Sequence, residues 1–121
     1  GITHNTMDGF FANEPPIMIG TDMPMYSAGM NMTVSLNINN PLSSPINVCV
    51  AVWLERPTGP IIVILHAHAV TLPGKFRYSN PSFSQFTLPP IPPGIYKWHA
   101  ALMSPGSHAI LIQDIAEWEF V

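Results

Sequence analysis

Proline punctuates this chain so often that long helices cannot form. Fourteen prolines in 121 residues leave no uninterrupted stretch longer than 16 residues, at 25–40 and 106–121. Inside a helix, proline removes a hydrogen bond and clashes with the preceding turn, at a cost of about 3 kcal/mol. Short strands tolerate it better, because strand edges, ends and bulges do not use every N–H. The apolar pattern agrees. Met30, Met32, Val34, Leu36 and Ile38 alternate with Asn31, Thr33, Ser35, Asn37 and Asn39. A period of two gives one apolar and one polar face, the mark of a half-buried strand.

Further strands are expected at 17–26, where Gly20 and Pro24 break the run, and at 46–54 and 61–70, both apolar on two faces. Others are expected at 83–88, at 95–103 and over 109–121, the last holding one or two strands. Turn residues such as Asn40-Pro41, Pro57-Thr58-Gly59-Pro60, Leu72-Pro73-Gly74 and Ser104-Pro105-Gly106 separate them. Seven to eight short strands without a helix predict an all-β, Ig-like antiparallel β-sandwich. Residues 1–20 form an N-terminal arm or a first edge strand, and 21–121 form the sandwich. The length allows one domain.

Charge is scarce. Asp, Glu, Lys and Arg make up 9% of the chain, against roughly 25% in average soluble proteins. None occurs from Met23 to Leu54, Pro57 to Gly74, Tyr78 to Tyr96 or Trp98 to Gln113. Hydrophobic residues at 47% build a core and argue against disorder. Four basic residues and a net charge of -3 argue against nucleic acid as a partner. No apolar run approaches the roughly 20 residues of a spanning helix. Strands that are apolar on both faces should leave apolar outer surface, which would be covered by another subunit.

Three segments resemble one family. Tyr26-Ser27-Ala28-Gly29-Met30-Asn31-Met32, followed by Asn40-Pro41, is similar to the opening strands of secreted Ig-like domains. Asn47-Val48-Cys49-Val50-Ala51-Val52-Trp53-Leu54 with Pro57-Thr58-Gly59 is similar to their next strand and turn, with Cys49 where they usually carry Tyr. Pro92-Pro93-Gly94-Ile95-Tyr96-Lys97-Trp98-His99-Ala100-Ala101-Leu102, then Pro105-Gly106 and Asp114-Ile115-Ala116, resembles their closing strands. The resemblance, over residues 20–121, is to Ig-like or fibronectin-III-like β-sandwich domains of prokaryotic secreted and cell-surface proteins. It implies a spacer, adhesion or assembly role, with no catalytic residues to carry over. Gly94 and Tyr96 match a tyrosine-corner-like element.

Candidate chemistry is thin. His66-Ala67-His68 places two imidazoles on one strand face, about 7 Å apart if alternation is regular. With a third ligand such a pair can hold zinc or copper, and methionines add soft ligands; otherwise the pair lies on an exposed or inter-subunit face. No metal or other cofactor is assigned. Asn31-Met32-Thr33 is a glycosylation sequon. Cys49 sits among apolar residues, where a thiol is usually inert. Glu117 and Glu119 share one face of the last strand, where such a pair can act in acid/base chemistry or bind calcium but more often marks a solvated strand face. Trp98 reads as core, whereas Trp53 and Trp118 can be core or a sugar-stacking platform. No enzyme activity is expected.

The expected function is that of a non-enzymatic structural subunit of an extracellular assembly: a fibre, pilus-like filament or surface coat. It would associate with copies of itself through apolar strand faces and through strand addition by an arm carrying Phe10, Phe11, Ile17, Met18 and Ile19. These residues can equally pack as the first strand of their own domain. Alternatives are an adhesion or carbohydrate-binding module of a larger surface protein, binding other surface proteins or glycans, and a periplasmic copper- or zinc-binding sandwich. A first residue of Gly1 rather than Met fits a mature extracellular chain left by signal-peptide removal.

Overall fold

A computed structural model describes residues 15–121. Eight strands form among them: β1 (Ile17–Thr21), β2 (Met25–Tyr26), β3 (Asn31–Asn39), β4 (Ile46–Glu55), β5 (Ile62–Leu72), β6 (Arg77–Thr87), β7 (Gly94–Met103) and β8 (Ile110–Phe120). They make two packed sheets, one ordered β1-β3-β6 and the other β2-β8-β7-β4-β5. The chain is an all-β, Ig-like β-sandwich. Among the described residues no helix is long and apolar enough to cross a membrane.

The two clearest expected alternations find their places. Met32, Val34, Leu36 and Ile38 turn into the core from β3, while Tyr96, Trp98, Ala100 and Leu102 do so from β7. Three aromatic side chains of the β2-β8-β7-β4-β5 sheet cluster at one end of this core. Trp118 stacks on Tyr96 at 4.6 Å, and Tyr26 meets Trp118 edge-on at 5.5 Å. Trp98, two residues further along β7, is buried with its indole nitrogen 3.4 Å from the sulfur of Met32. Burial of such rings contributes most to a small sandwich core.

Two expected strands come out differently. The 17–26 stretch divides into two strands that belong to opposite sheets. β1 pairs antiparallel with β3, and β2 pairs parallel with the C-terminal end of β8. Asp22 and Tyr26 pin the crossing: the Tyr26 hydroxyl donates to Asp22, which also accepts from the Thr33 N–H at 3.0 Å. The 83–88 strand is longer than expected and starts at Arg77, running through Pro81. Pro81 is tolerated because β6 is an edge strand and its register against β3 shifts between Val34 and Leu36.

The tyrosine-corner element forms. The Tyr96 hydroxyl donates to the Pro92 carbonyl at 2.6 Å, and Gly94 adopts φ +146° against Pro57.

A second knot ties the β5–β6 connection to the turn after β3. Asn40 is fully buried, and its amide nitrogen lies 3.0, 3.1 and 3.0 Å from the carbonyls of Ser44, Leu72 and Pro73. Its own carbonyl oxygen accepts from the Leu42 N–H at 3.1 Å. Gly74 passes so close to the Ser43 carbonyl that a Cβ would lie 2.1 Å from it.

Candidate functional site at an open sheet edge

A sandwich of two open sheets has four edge strands, and a bare edge is a template for another chain. Three of the four are blunted here. On β1, the Ile19 N–H that would face outward donates to Asp114 Oδ2 at 2.9 Å. β2 is two residues long and follows Pro24. β6 carries Pro81 and a register break. The fourth edge, β5, has 11 residues and contains no proline and no Asp, Glu, Lys or Arg. It pairs with β4 on one side and with none of the described strands on the other.

β5 has two parts. Register shifts between Val50 and Val52 and between Val52 and Trp53 confine its irregularity to the stretch near Ile64–Ala67. Beyond it, His68 to Leu72 runs in regular antiparallel register opposite Val50 to Ile46. Before and within the irregular part, Ile61, Ile62, Val63 and Ile64 are exposed by 52%, 42%, 40% and 45%. Four successive β-branched side chains in water make this a sticky edge.

Beside the regular stretch lies an open apolar groove of about 290 Å³. β5 and β6 belong to different sheets, so no hydrogen bonds close the gap between them. Leu65, His68, Val70 and Leu72 line it from β5, and Phe76, Tyr78 and Phe83 from the opposite side. Buried Leu36, Ile38 and Val50 close its back. A free backbone edge alongside a row of side-chain subsites is the geometry that accepts an added strand: the backbone supplies hydrogen bonds and the groove takes alternate side chains.

The residues singled out in the sequence fall in different places. Ile17 and Ile19 are buried in this chain's own core, opposite Ile38 and Leu36, while Met18 is 39% exposed. Phe10 and Phe11 lie outside the described residues. Regular alternation across His66-Ala67-His68 does not hold. The shift sets His66 and Ala67 together against Ala51, so His68 lines the groove and His66 does not. The two imidazoles therefore do not form the expected pair. Among the described residues no cluster of three His, Cys, Asp or Glu could hold a metal ion. Asn31 is exposed, its side-chain oxygen accepting from the Thr87 hydroxyl at 2.7 Å. Cys49 is buried, and Trp98 and Trp118 are core.

The second apolar-on-both-faces strand, β4, is satisfied within the chain. Its outward Cys49 and Ala51 are 2% and 5% exposed, small side chains sunk beside cross-strand Met103 and Ala101. One cluster on this outer face escaped the sequence reading. Trp53 stacks on His99 at 4.9 Å and 5°, and His99 Nε2 lies 2.8 Å from Glu55 Oε1. Only the β4–β7 register, which sets Trp53 opposite His99, brings these residues together.

No protein-family model matches the chain, and no curated protein matches it significantly. Solved structures share its fold. A CARDB domain from Pyrococcus furiosus, solved in complex with di-metal ions, superposes with a TM-score of 0.56 at 13% identity, covering 87% of each chain. The alkylpurine DNA glycosylase AlkC of Pseudomonas fluorescens, bound to DNA containing an abasic site analog, gives 0.62 at 13% identity over 93% of this chain. This chain spans only 32% of the glycosylase. A β-glucosidase from Listeria innocua gives 0.52 at 15% identity, over 86% of this chain and 16% of the enzyme. At such identities the likeness is one of fold: the chain is a β-sandwich of the kind seen in the CARDB domain.

Proposed function

We propose that this protein is a non-enzymatic structural subunit of an extracellular or cell-surface assembly, that it joins to copies of itself, and that joining is by strand addition at the β5 side. The observation that carries this reading is the contrast among the edges. Proline, a side-chain cap or shortness blunts three of them, while β5 presents a regular five-residue edge beside a groove and four exposed aliphatics. The charge-free sequence from Pro57 to Gly74 supports it, because edges that must stay single usually carry charge. The reading invokes no cofactor, nucleic acid or membrane span.

The test is the size of the native protein by analytical ultracentrifugation, with electron microscopy for filaments. Wild type should sediment as oligomers or fibres. Ala69→Lys puts a charge on the exposed edge without touching the core, and it should give folded monomers with unchanged circular dichroism. Wild type that stays monomeric at millimolar concentration, or assembly indifferent to Ala69→Lys, would refute the proposal.

A second reading, a glycan-binding module, draws on the half-exposed Trp53 ring beside His99 and Glu55 on the outer face. Aromatic rings next to polar groups suit sugar stacking. A glycan array with wild type and Trp53→Ala decides it: signal lost in the variant supports the module, and silence from wild type removes it.

A further inference from the structure

We infer that the groove between β5 and β6 receives the Phe10–Phe11 segment of a second copy of this chain, laid as a strand along His68 to Leu72. The inference rests on the strand-addition reading and names the donor. The groove's volume and shape argue first. At about 290 Å³ it falls at the lower limit of small-molecule pockets, which run from roughly 300 to 1,000 Å³. It is a trough along a strand edge, matched to side chains arriving every second residue. Its lining is uncharged, and Phe76, Tyr78 and Phe83 stand on one wall. Neighbours on a strand point to opposite faces, so one ring of the adjacent Phe10-Phe11 pair would enter and meet them edge-to-face or offset, the arrangements such pairs prefer.

The donor follows from what the sandwich leaves over. Ile17 and Ile19, also expected in the arm, are used in this chain's own core. The 14 residues before Pro15 are not part of the described sandwich, and Phe10-Phe11 is their one aromatic pair. Fully extended, 14 residues reach up to roughly 46 Å, more than enough to lie along a neighbour's β5.

The root of the arm lies on the sheet opposite β5, where Pro15 shares a surface hollow with Met18 of β1 and Tyr78 of β6. The Asn39 N–H donates to the Pro16 carbonyl at 2.8 Å, which fixes the root beside β1. β1 is at the far edge of its sheet, with β3 between it and β6. An arm leaving one subunit and entering the next is a heterologous contact, which propagates into a filament or closes into a ring.

The experiment mixes two differently tagged full-length chains, one carrying a photo-crosslinking phenylalanine analogue at position 10 or 11. Crosslinked peptides are then mapped by mass spectrometry. The expected products join the arm of one tag to the β5 or β6 groove residues of the other. Phe10→Ser with Phe11→Ser, which removes whichever ring faces the groove and lies outside the described sandwich, should leave its melting unchanged and weaken assembly by about thirtyfold or more, as loss of one buried aromatic anchor does. Crosslinks confined to one chain would overturn the inference and make the arm a self-filling strand. Assembly that survives the double substitution but is lost in Ala69→Lys would overturn the donor and leave strand addition standing. A wild type that never assembles would overturn both.

Discussion

Asn40→Ala should cost this fold about 3 kcal/mol, far more than one polar substitution in a turn usually does. The side chain is 0% exposed. Its amide nitrogen reaches three carbonyls, of Ser44, Leu72 and Pro73, and its oxygen takes the Leu42 N–H. Each net hydrogen bond is worth about 1 kcal/mol, and a buried carbonyl left without a donor adds to the loss. Water can reach some of these groups, since only the Leu72 bond is fully buried, so the sum stays near 3 rather than above 4 kcal/mol. For a domain of this size that shift lowers the melting temperature by about 10 °C. Urea unfolding followed by tryptophan fluorescence reads it, with an unchanged slope showing a stability effect alone. Asn40→Asp is the sharper variant. A carboxylate would turn acceptor oxygens toward three carbonyls and should be at least as damaging as alanine. An Asn40→Ala loss below about 1 kcal/mol, or an Asn40→Asp chain as stable as wild type, would refute the assignment of the amide as the knot's donor.

Other consequences follow from the same geometry. Asp22 is held below its ordinary value of 3.8, first by the Tyr26 hydroxyl and then by the Thr33 N–H. Its contribution to stability is therefore complete above pH 3.8 and is lost as pH falls through its lowered value. Melting temperatures of wild type and Asp22→Asn should converge below that point, and a constant gap down to strong acid would contradict this. Gly94→Ala places a Cβ 2.8 Å from Pro57 Cγ at φ +146°. It should destabilise by about 2 kcal/mol in thermal unfolding, and a neutral result would show that the corner relaxes freely. Asp114→Ala frees the Ile19 N–H. Amide exchange at Ile19 should accelerate selectively, and unchanged protection would mean that Asp114 does not cap that edge.

The strands whose partners lie on either side were legible from the sequence, because burial on one face writes a period of two. Met30 to Asn39 and Ile95 to Met103 are examples, with core faces as expected. β6 was half legible: a proline reads as a stop, and only an edge position with a register break lets the strand pass through Pro81. The division of 17–26 between two sheets was illegible, because β2 exists through its pairing with β8 at the other end of the chain. The candidate site shows the same division. The aliphatic, charge-free character of β5 is a property of its residues. Its being an edge, and its forming one wall of a groove with β6, are properties of topology. The His66-Ala67-His68 pair was misread because a register shift breaks alternation at Ala51. The Trp53–His99–Glu55 cluster joins β4 to β7 through cross-strand register.

The scarcity of charge takes on a definite meaning from where several of the charged groups sit. Asp22 holds the crossing from β1 to β2, and Asp114 caps β1. Glu55 pairs with His99, Arg56 donates to the Pro60 carbonyl, and Lys75 donates to the Pro41 carbonyl. These five charges are thus committed to local structure, and one of them guards an edge. Gatekeeping charge on a long β-branched strand is the common defence against unwanted pairing. β5 is the strand that most needs it and has none. A chain that spends Asp114 on protecting β1 has the means to protect an edge. On the strand-addition reading, β5 is left bare because another strand covers it in the assembled state, and a single lysine at Ala69 is then enough to keep the copies apart.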